Sequence, residues 1–454
     1  MAQNISLSVQ SLDNRIRDLL AAGDLQGAAR LLQEAHPANI ADLLEGLDED
    51  VRLQLFRNLQ LDHAAEVLDE INTEATLDLV GAISNESIAD IIEALPVDDA
   101  VDVLSELSSE RAEQIISHIE PEEAREIEKF LDYAEDSAGR LVNSDIARLA
   151  EGWTVAQSLE FLREVGNHGL TLAYLYVVDR EGRLIGLVPL QKLVTERPET
   201  PIKAIMKTDV VFVEATADRE EAARLVAHYD FFAIPVVDAR RRLLGVITHD
   251  DVVDILQEEF TEDVQRQGGS QPLEGQYLAT PIRVVFQKRV GWLLVLFLTE
   301  MLTGTVMRVY EHELQSAVAL AFFVPLLIGT GGNSGSQTTS TIVRAIAMGE
   351  VQLKDVWRLL WHELRAGLLL GIVMAAIGFG RGMLWNTGVP LALTVAIALF
   401  AIVLWANIIG AVLPPLAARL KVDPAVISGP VMSTLVDATG LIIYFSLARW
   451  IIGL

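Results

Sequence analysis

Beyond residue 288 the sequence runs through five apolar stretches, read at about 290–310, 315–335, 366–386, 391–416 and 429–452, each near the length a helix needs to cross a hydrocarbon core of about 30 Å. No water reaches backbone N–H and C=O groups inside a bilayer, so stretches of this length are predicted as transmembrane helices. The rest of the chain has the opposite character. Its net charge is −28, from 35 Lys+Arg and 63 Asp+Glu, yet its mean hydropathy is +0.33. Split at residue 280, the first part holds 55 acids and 23 bases and the second 8 acids and 12 bases. A soluble part at −32 argues against nucleic acid or an anionic lipid surface as its partner and favours cations. The absence of Cys excludes disulfides, thiolate metal sites and Cys nucleophiles. No Gly-x-x-x-x-Gly-Lys-Ser/Thr motif is present, which argues against an ATP-driven pump, and no enzymatic activity is expected.

The opening residues MAQNISLSVQSLDNRIRDLL lack a basic start followed by an apolar run, so the N-terminus is expected in the cytosol. Five spans then place Arg283, Lys288, Arg289, Arg344, Lys354, Arg358, Arg365, Arg419 and Lys421 inside, and Arg308, Arg381 and Arg449 outside. Cytoplasmic loops are enriched in Lys and Arg, so this bias supports five spans with the C-terminus outside.

Charges at membrane depth are costly, and two stand out. Asp437 lies in ISGPVMSTLVDATGLIIYF, eight residues beyond Gly429 and so about 12 Å along a helix. No Lys or Arg in that stretch can pair with it, which leaves a protonated or internally bonded acid, or one facing water and a cation. Glu300, in LFLTEMLTG, is also deep, on an ion path or bonded to a neighbouring helix. The second span ends in PLLIGTGGNSGSQTTSTIVRA, where Gly329, Gly331, Gly332 and Gly335 predict irregular backbone lining a watery cavity, or close helix packing. Asn333, Ser334, Ser336, Gln337, Thr338 and Thr339 supply neutral oxygens there. Pro414, Pro415, Pro424 and Pro430 are expected to break helices near the cytosolic face.

Residues 1–135 read as helical, with a short block recurring from Ala41, Ala65, Ala89 and Val101, the pattern of stacked short helices in a solenoid. Most acids there form a solvated face. Asp98, Asp99 and Asp102 share one helical face and repel unless a cation intervenes. From about 139 the pattern becomes mixed and occurs twice, in TLAYLYVVDREGRLIGLVPLQKLV and FFAIPVVDARRRLLGVITHDDVVDIL. Both copies resemble a tandem CBS pair. Such pairs often bind adenine nucleotides, and the resemblance places the ribose and phosphate contacts at Thr248 and Asp251. Pro189 and Lys192 stand at the matching places of the first copy, which leaves at most one ATP site or a pair serving only as a scaffold.

The order of parts, with YAEDSAGRL (133–141), YDFFAIPVVD (229–238), PLLIGTGGNSGSQ (325–337) and DPAVISGPVMSTLVDATGLIIYF (423–445), resembles the MgtE family of magnesium channels over nearly the whole chain. The resemblance implies an α-helical integral membrane protein of the bacterial inner (plasma) membrane. Its cytosolic part would comprise an all-α superhelical domain (1–138), an α/β CBS pair (139–201 and 202–260) and a connecting helix (261–288), before five transmembrane helices per protomer (289–454). It also implies a homodimer with its pore on the two-fold axis. Asp437 would hold the transported Mg2+, Asp423 would bind Mg2+ at the cytosolic end, and Asn333, Gly429 and Ser433 would line the pore. Regulatory Mg2+ would bind at Glu66, Asp98, Asp102, Asp218, Glu220, Asp230, Asp251, Glu259, Glu262 and Asp263. The function implied is Mg2+ uptake through a channel that cytosolic Mg2+ closes. A coupled transporter of Co2+ or Mn2+ and a non-transporting Mg2+ or nucleotide sensor remain open. Gly429 stands where some relatives carry Asn, and Glu300 where small uncharged residues are usual.

Overall fold

A computed structural model describes residues 12, 14–165, 174–273, 277, 280–428 and 430–453. They form two compact units, Met1–Gln257 and Glu258–Leu454.

In the first unit, after a stretch that is helical up to residue 21, nine short helices follow among the described residues: α1 (Leu25–Leu32), α2 (Pro37–Glu45), α3 (Glu49–Phe56), α4 (Leu61–Glu70), α5 (Thr73–Ala82), α6 (Asn85–Glu93), α7 (Val97–Ser105), α8 (Ser109–Ile116) and α9 (Pro121–Leu131). Each starts twelve residues after the one before, a stricter period than the uneven 24, 24 and 12 of the sequence blocks. Helices of 8 to 11 residues are too short to be stable alone, so their stability comes from packing. Each of α2, α4 and α6 packs on the next but one, as α1 does on α3 and α3 on α5, so two helices make one repeat of a superhelix. The starts are fixed locally: the side chains of Asn72, Ser84 and Ser108 accept from the backbone N–H groups of Ala75, Ser87 and Arg111. Buried Arg52 donates to the carbonyls of Leu44 and Leu47, satisfying acceptors that the end of α2 leaves over.

Two α/β copies follow. The first has β1 (Arg148–Ala150), α10 (Val155–Val165), β2 (Tyr174–Val178), β3 (Leu184–Pro189) and the six-residue α11 (Leu190–Thr195). After α12 (Ile202–Ile205), the second has β4 (Val213–Glu214), α13 (Arg219–Tyr229), β5 (Ala233–Val237), β6 (Leu243–Thr248) and α14 (His249–Gln267). In each copy the first strand pairs parallel with the second, the second antiparallel with the third, and the register slips at the same point, Val177/Val178 and Val236/Val237. The Asp of each hairpin turn does the same work: Asp179 Oδ1 accepts from the N–H groups of Glu181 and Arg183, and Asp238 Oδ1 from those of Arg240 and Arg242. The two hairpins join through Leu184 N–H to Arg241 O and Leu243 N–H to Gly182 O.

Among the described residues, the second unit contains five helices long and apolar enough to cross a membrane: Ile282–Val309, Val318–Ala347, Leu353–Leu384, Val389–Arg419 and Val431–Ile452. We label its helices α15 (Ile282–Val309), α16 (Glu311–Ser316), α17 (Val324–Ala347), α18 (Val356–Leu384), α19 (Val389–Arg419), α20 (Pro424–Ser428) and α21 (Pro430–Ile452). α19 is central, packing on α17, α18 and α21, while α17 also packs on α21. Gly367, Gly371, Gly378 and Gly382 of α18 admit side chains of α19, as lipid-embedded packing favours. At the far end Arg449 Nε donates to the buried Glu313 Oε1 at 2.8 Å.

Three expectations need correction. The glycine-rich stretch is not irregular, because α17 runs unbroken through it and Gly331, Gly332 and Gly335 meet neighbouring helices. Pro414 and Pro415 lie inside α19; near its end they withdraw donors only from the carbonyls of Gly410 and Ala411, and the helix continues to Arg419. The stretch expected as one connecting helix, 261–288, is helical to Gln267 and again from Ile282. Gly269 adopts φ +74°, a left-handed conformation cheap only for glycine, and its N–H bonds to Arg266 O.

Candidate cation pathway and regulatory acids

The membrane site begins at the glycines of α17. A Cβ on Gly331 would strike Ile402 and Val436, and one on Gly335 would strike Met432, so both positions exist to let α17 and α21 close up. Between them, a Cβ on Gly332 would lie 3.7 Å from both Asp437 Oδ1 and Ser433 Oγ. One helical turn separates Ser433 from Asp437, so they share a face of α21, directed at bare backbone of α17. Asp437 is half-buried, and its Oδ1 is buried with no hydrogen-bond partner among the described residues. A carboxylate oxygen placed this way calls for a cation or water. Asp437 also lies within electrostatic reach of Glu300, whose helix α15 packs on α21.

The polar residues of α17 do not all face this point. Asn333, Gln337, Thr341 and Arg344 are exposed and recur at helical spacing, forming a polar stripe that no other described part of the protomer covers. Ser334 and Thr338 instead face the buried Asn407 of α19. Gly429 lies outside the described residues.

Asp423 precedes α20, and its Oδ1 accepts from Ala425 N–H at 2.8 Å. Its Oδ2 pairs with Arg266, which also pairs with Glu262. Burial, with Asp423 and Glu259 as neighbours, pushes Asp263 up to about 6. Glu259, Glu262, Asp263 and Asp423 thus belong to one acidic group within the second unit, with Arg266 as its internal cation. The acids are legible in the sequence; Arg266 is signalled there only by its i,i+4 spacing from Glu262.

In the first unit the acids of α7 meet those at the start of α14. Asp98 is buried, accepts from Asn143 Nδ2 at 3.2 Å, and is held well above the carboxylate range by burial and by Asp251. Burial pushes Asp99 up to about 9, with Asp98, Asp69, Asp251 and Asp102 adding repulsion. Asp251 is raised by the same cause, against the bonds it accepts from Thr248. Asp69, which the sequence did not single out, is pushed up to about 7 by crowding and by Glu70, Asp251, Asp254 and Asp250. Its side chain still meets solvent, so Asp98 and Asp99 define the site. Asn143 is placed by a bridge to Val246, which runs past Gly245, where any Cβ would strike the Asn143 carbonyl. Among the described residues no three of these side chains converge tightly enough to hold a bare ion. Crowded, mutually repelling carboxylates at longer range suit Mg2+ that keeps its waters.

The other regulatory candidates are spread out. Glu66 is exposed on α4 and Asp102 on α7. Asp218 caps α13, accepting from Glu220 N–H at 2.9 Å, and Asp230 ends the same helix at φ +53°. Eleven residues separate Arg219 from Asp230, about 16 Å at 1.5 Å per residue, so Asp218 and Glu220 cannot share one ion with Asp230 in one protomer. At the possible nucleotide position, Asp251 Oδ2 accepts from Thr248 N–H at 2.8 Å and Thr248 Oγ1–H at 2.5 Å. This pairing orients both groups at a helix start, but the Thr248 hydroxyl proton is already used, so the fit to ATP is partial. In the first copy Pro189 and Lys192 begin only the short α11 and cannot repeat it.

Comparison with known proteins agrees with this architecture. Residues 324–447 match MgtE, a divalent cation transporter family; residues 35–136 match the MgtE intracellular N domain; residues 138–199 and 202–258 match CBS domains. The chain is 39% identical over 438 residues to the magnesium transporter MgtE of Thermus thermophilus, spanning 96% of this chain and 97% of that one. It is 29% identical over 450 residues to the magnesium transporter MgtE of Bacillus subtilis, spanning 99% and 98%. Among solved structures, the cytosolic domain of the Mg2+ channel MgtE in complex with ATP aligns at a TM-score of 0.51 and 34% identity, covering 54% of this chain and 99% of that one.

Proposed function

Because the chain belongs to the MgtE family of divalent cation transporters, we propose that it is a Mg2+ channel for uptake across the bacterial plasma membrane, closed by Mg2+ bound to its acidic cytosolic part. One observation carries the reading: Asp437 Oδ1, without a partner among the described residues, lies beside α17, whose stripe of Asn333, Gln337 and Thr341 is uncovered within an apolar span. Lipid cannot satisfy such a stripe. A second copy across a water-filled axis can, so the functional unit is a homodimer.

In this reading the two Asp437 carboxylates hold a hydrated Mg2+ between them, with Ser433 and Asn333 donating and accepting around its waters. Flow follows the membrane potential, which drives two charges inward at about 4.6 kcal/mol per 100 mV with the N-terminus inside and the C-terminus outside. The repelling acids around Asp98, Asp99 and Asp251, and the group of Glu259, Glu262, Asp263 and Asp423, are the sensors. Mg2+ between such carboxylates favours whichever arrangement brings them together, and several weak sites acting jointly make the response steep. Glu66, Asp102, Asp218, Glu220 and Asp230 are outer sensor positions that would pair with a second protomer or another domain. Thr248 and Asp251 offer one ATP position, in the second CBS copy. Liposome flux with internal and external Mg2+ varied separately tests the whole. Asp437→Asn is expected to abolish Mg2+ entry, and raised internal Mg2+ to close the wild-type channel. Entry driven by a pH or Na+ gradient instead of voltage would favour a coupled transporter.

A further inference from the structure

The polar motif of α17 divides into parts, and one of them faces away from Asp437. Ser334 and Thr338, one turn apart, meet Asn407, which is 1% exposed in the middle of α19. Asn407 Nδ2 donates to Ser334 Oγ at 3.2 Å and to Val403 O at 2.9 Å, and its Oδ1 accepts from the Thr338 hydroxyl. The same hydroxyl lies 3.4 Å from Glu363 Oε2 on α18. Two glycines make room for the arrangement. A Cβ on Gly367 would come within 3.0 Å of Asn407 Nδ2, and one on Gly410 within 3.0 Å of Thr338 Cβ. Three helices therefore bring small residues together around a single amide, whose two donors and one acceptor are all used. Its grip is directional: turning α17 or sliding it by a fraction of a turn breaks both contacts together.

We propose that Asn407 is a positioning residue of the ion pathway. By holding Ser334 and Thr338 it fixes the rotation and height of α17, and so sets the spacing between the Gly332–Asn333 backbone and Asp437. The neighbouring Gly331–Val436 and Gly335–Met432 contacts are apolar and tolerate rotation, so the polar contacts supply the register. Glu363 Oε2 of α18 is an alternative acceptor for the same Thr338 proton at 3.4 Å, longer than the bond to Asn407 Oδ1, which therefore carries the hold. The proposal rests on Asp437 being the pore acid, and it makes cation selectivity a property of residues that never touch the ion.

The test uses the full-length protein in liposomes, with Mg2+ and Mn2+ flux measured in parallel and the unfolding midpoint followed in detergent. Asn407→Leu keeps the bulk and removes all three hydrogen bonds, and Thr338→Val removes only the hydroxyl. Both are expected to lower the Mg2+:Mn2+ flux ratio by roughly tenfold, the scale on which displacements below 1 Å act at a preorganised site. Thr338→Ser is expected to restore the ratio. An unchanged ratio in Asn407→Leu and Thr338→Val with only a lowered midpoint overturns the proposal, leaving the network as adhesive between helices. Loss of folding in both overturns it in the same way. Should Asn407→Leu alone fail to fold, the Thr338 pair decides. Wild-type Mg2+ flux through Asp437→Asn would defeat the underlying reading instead, whatever the Asn407 variants do.

Discussion

Arg266 shows how much one side chain alters the electrostatics of a cluster of acids. It pairs with both Glu262 and Asp423, and so acts as a tethered cation at two of the acids we propose as Mg2+ ligands. Arg266→Gln removes that competitor. The Mg2+ concentration giving half-maximal closure in flux measurements is expected to fall by up to about fivefold, since a partly exposed ion pair is worth about 0.2–1 kcal/mol. A rise would instead make Arg266 a strut of the closed form. Residue chemistry was unevenly legible beforehand. Asp437 announced itself as an unpaired charge in an apolar run. Asn407, the one amide in the run 391–416, carried the same kind of signal in weaker form, and its importance came from three glycine-bearing helices converging on it.

At the scale of elements, the fold depends on close approach between helices whose small residues the sequence displays without their partners. Gly335 lies against Met432, the residue before Ser433 on α21. Gly335→Val is therefore expected to push α17 and α21 apart, costing about 1–3 kcal/mol by overpacking and lowering Mg2+ flux more than a helix surface change would. Thermal unfolding of the detergent-solubilised protein, alongside liposome flux, checks both effects. The glycine run had suggested broken backbone because glycine is a poor helix former in water. In a bilayer the helix keeps its hydrogen bonds, and the glycines serve for contact. The solenoid was legible as recurring acidic-apolar blocks. Its strict twelve-residue step was not, because half the helices, such as α3 and α5, carry different sequences on the same frame.

For the whole molecule, the acidic half should make stability depend on both pH and divalent cation. Asp98 and Asp99 bind protons more tightly in the folded protein than the ordinary carboxylate does, Asp99 up to about 9. The folded state therefore carries more protons than the unfolded one across this range, and stability falls as pH rises from about 4 toward 9. Without divalent cation, the unfolding midpoint of the acidic half, followed in the whole chain, is expected to drop between pH 5 and 9. Mg2+ should cancel most of that drop at high pH and have little effect at pH 5, where protons already neutralise the acids. Asp99→Asn should flatten the metal-free profile, and a profile flat in the wild type would remove these acids from the sensor. The sequence by itself determined the division into parts, because charge and hydropathy are sums over residues that need no geometry: an acidic half, five apolar spans, and two acids, Glu300 and Asp437, at depth. The tertiary structure decided which acids crowd together, which arginine lies among them, and which polar side chains of α17 lie on its uncovered face and which meet Asn407. Those depend on distances between residues far apart in the chain, such as Ser334 and Asn407 or Asp98 and Asp251, and only packing brings them within a few ångströms.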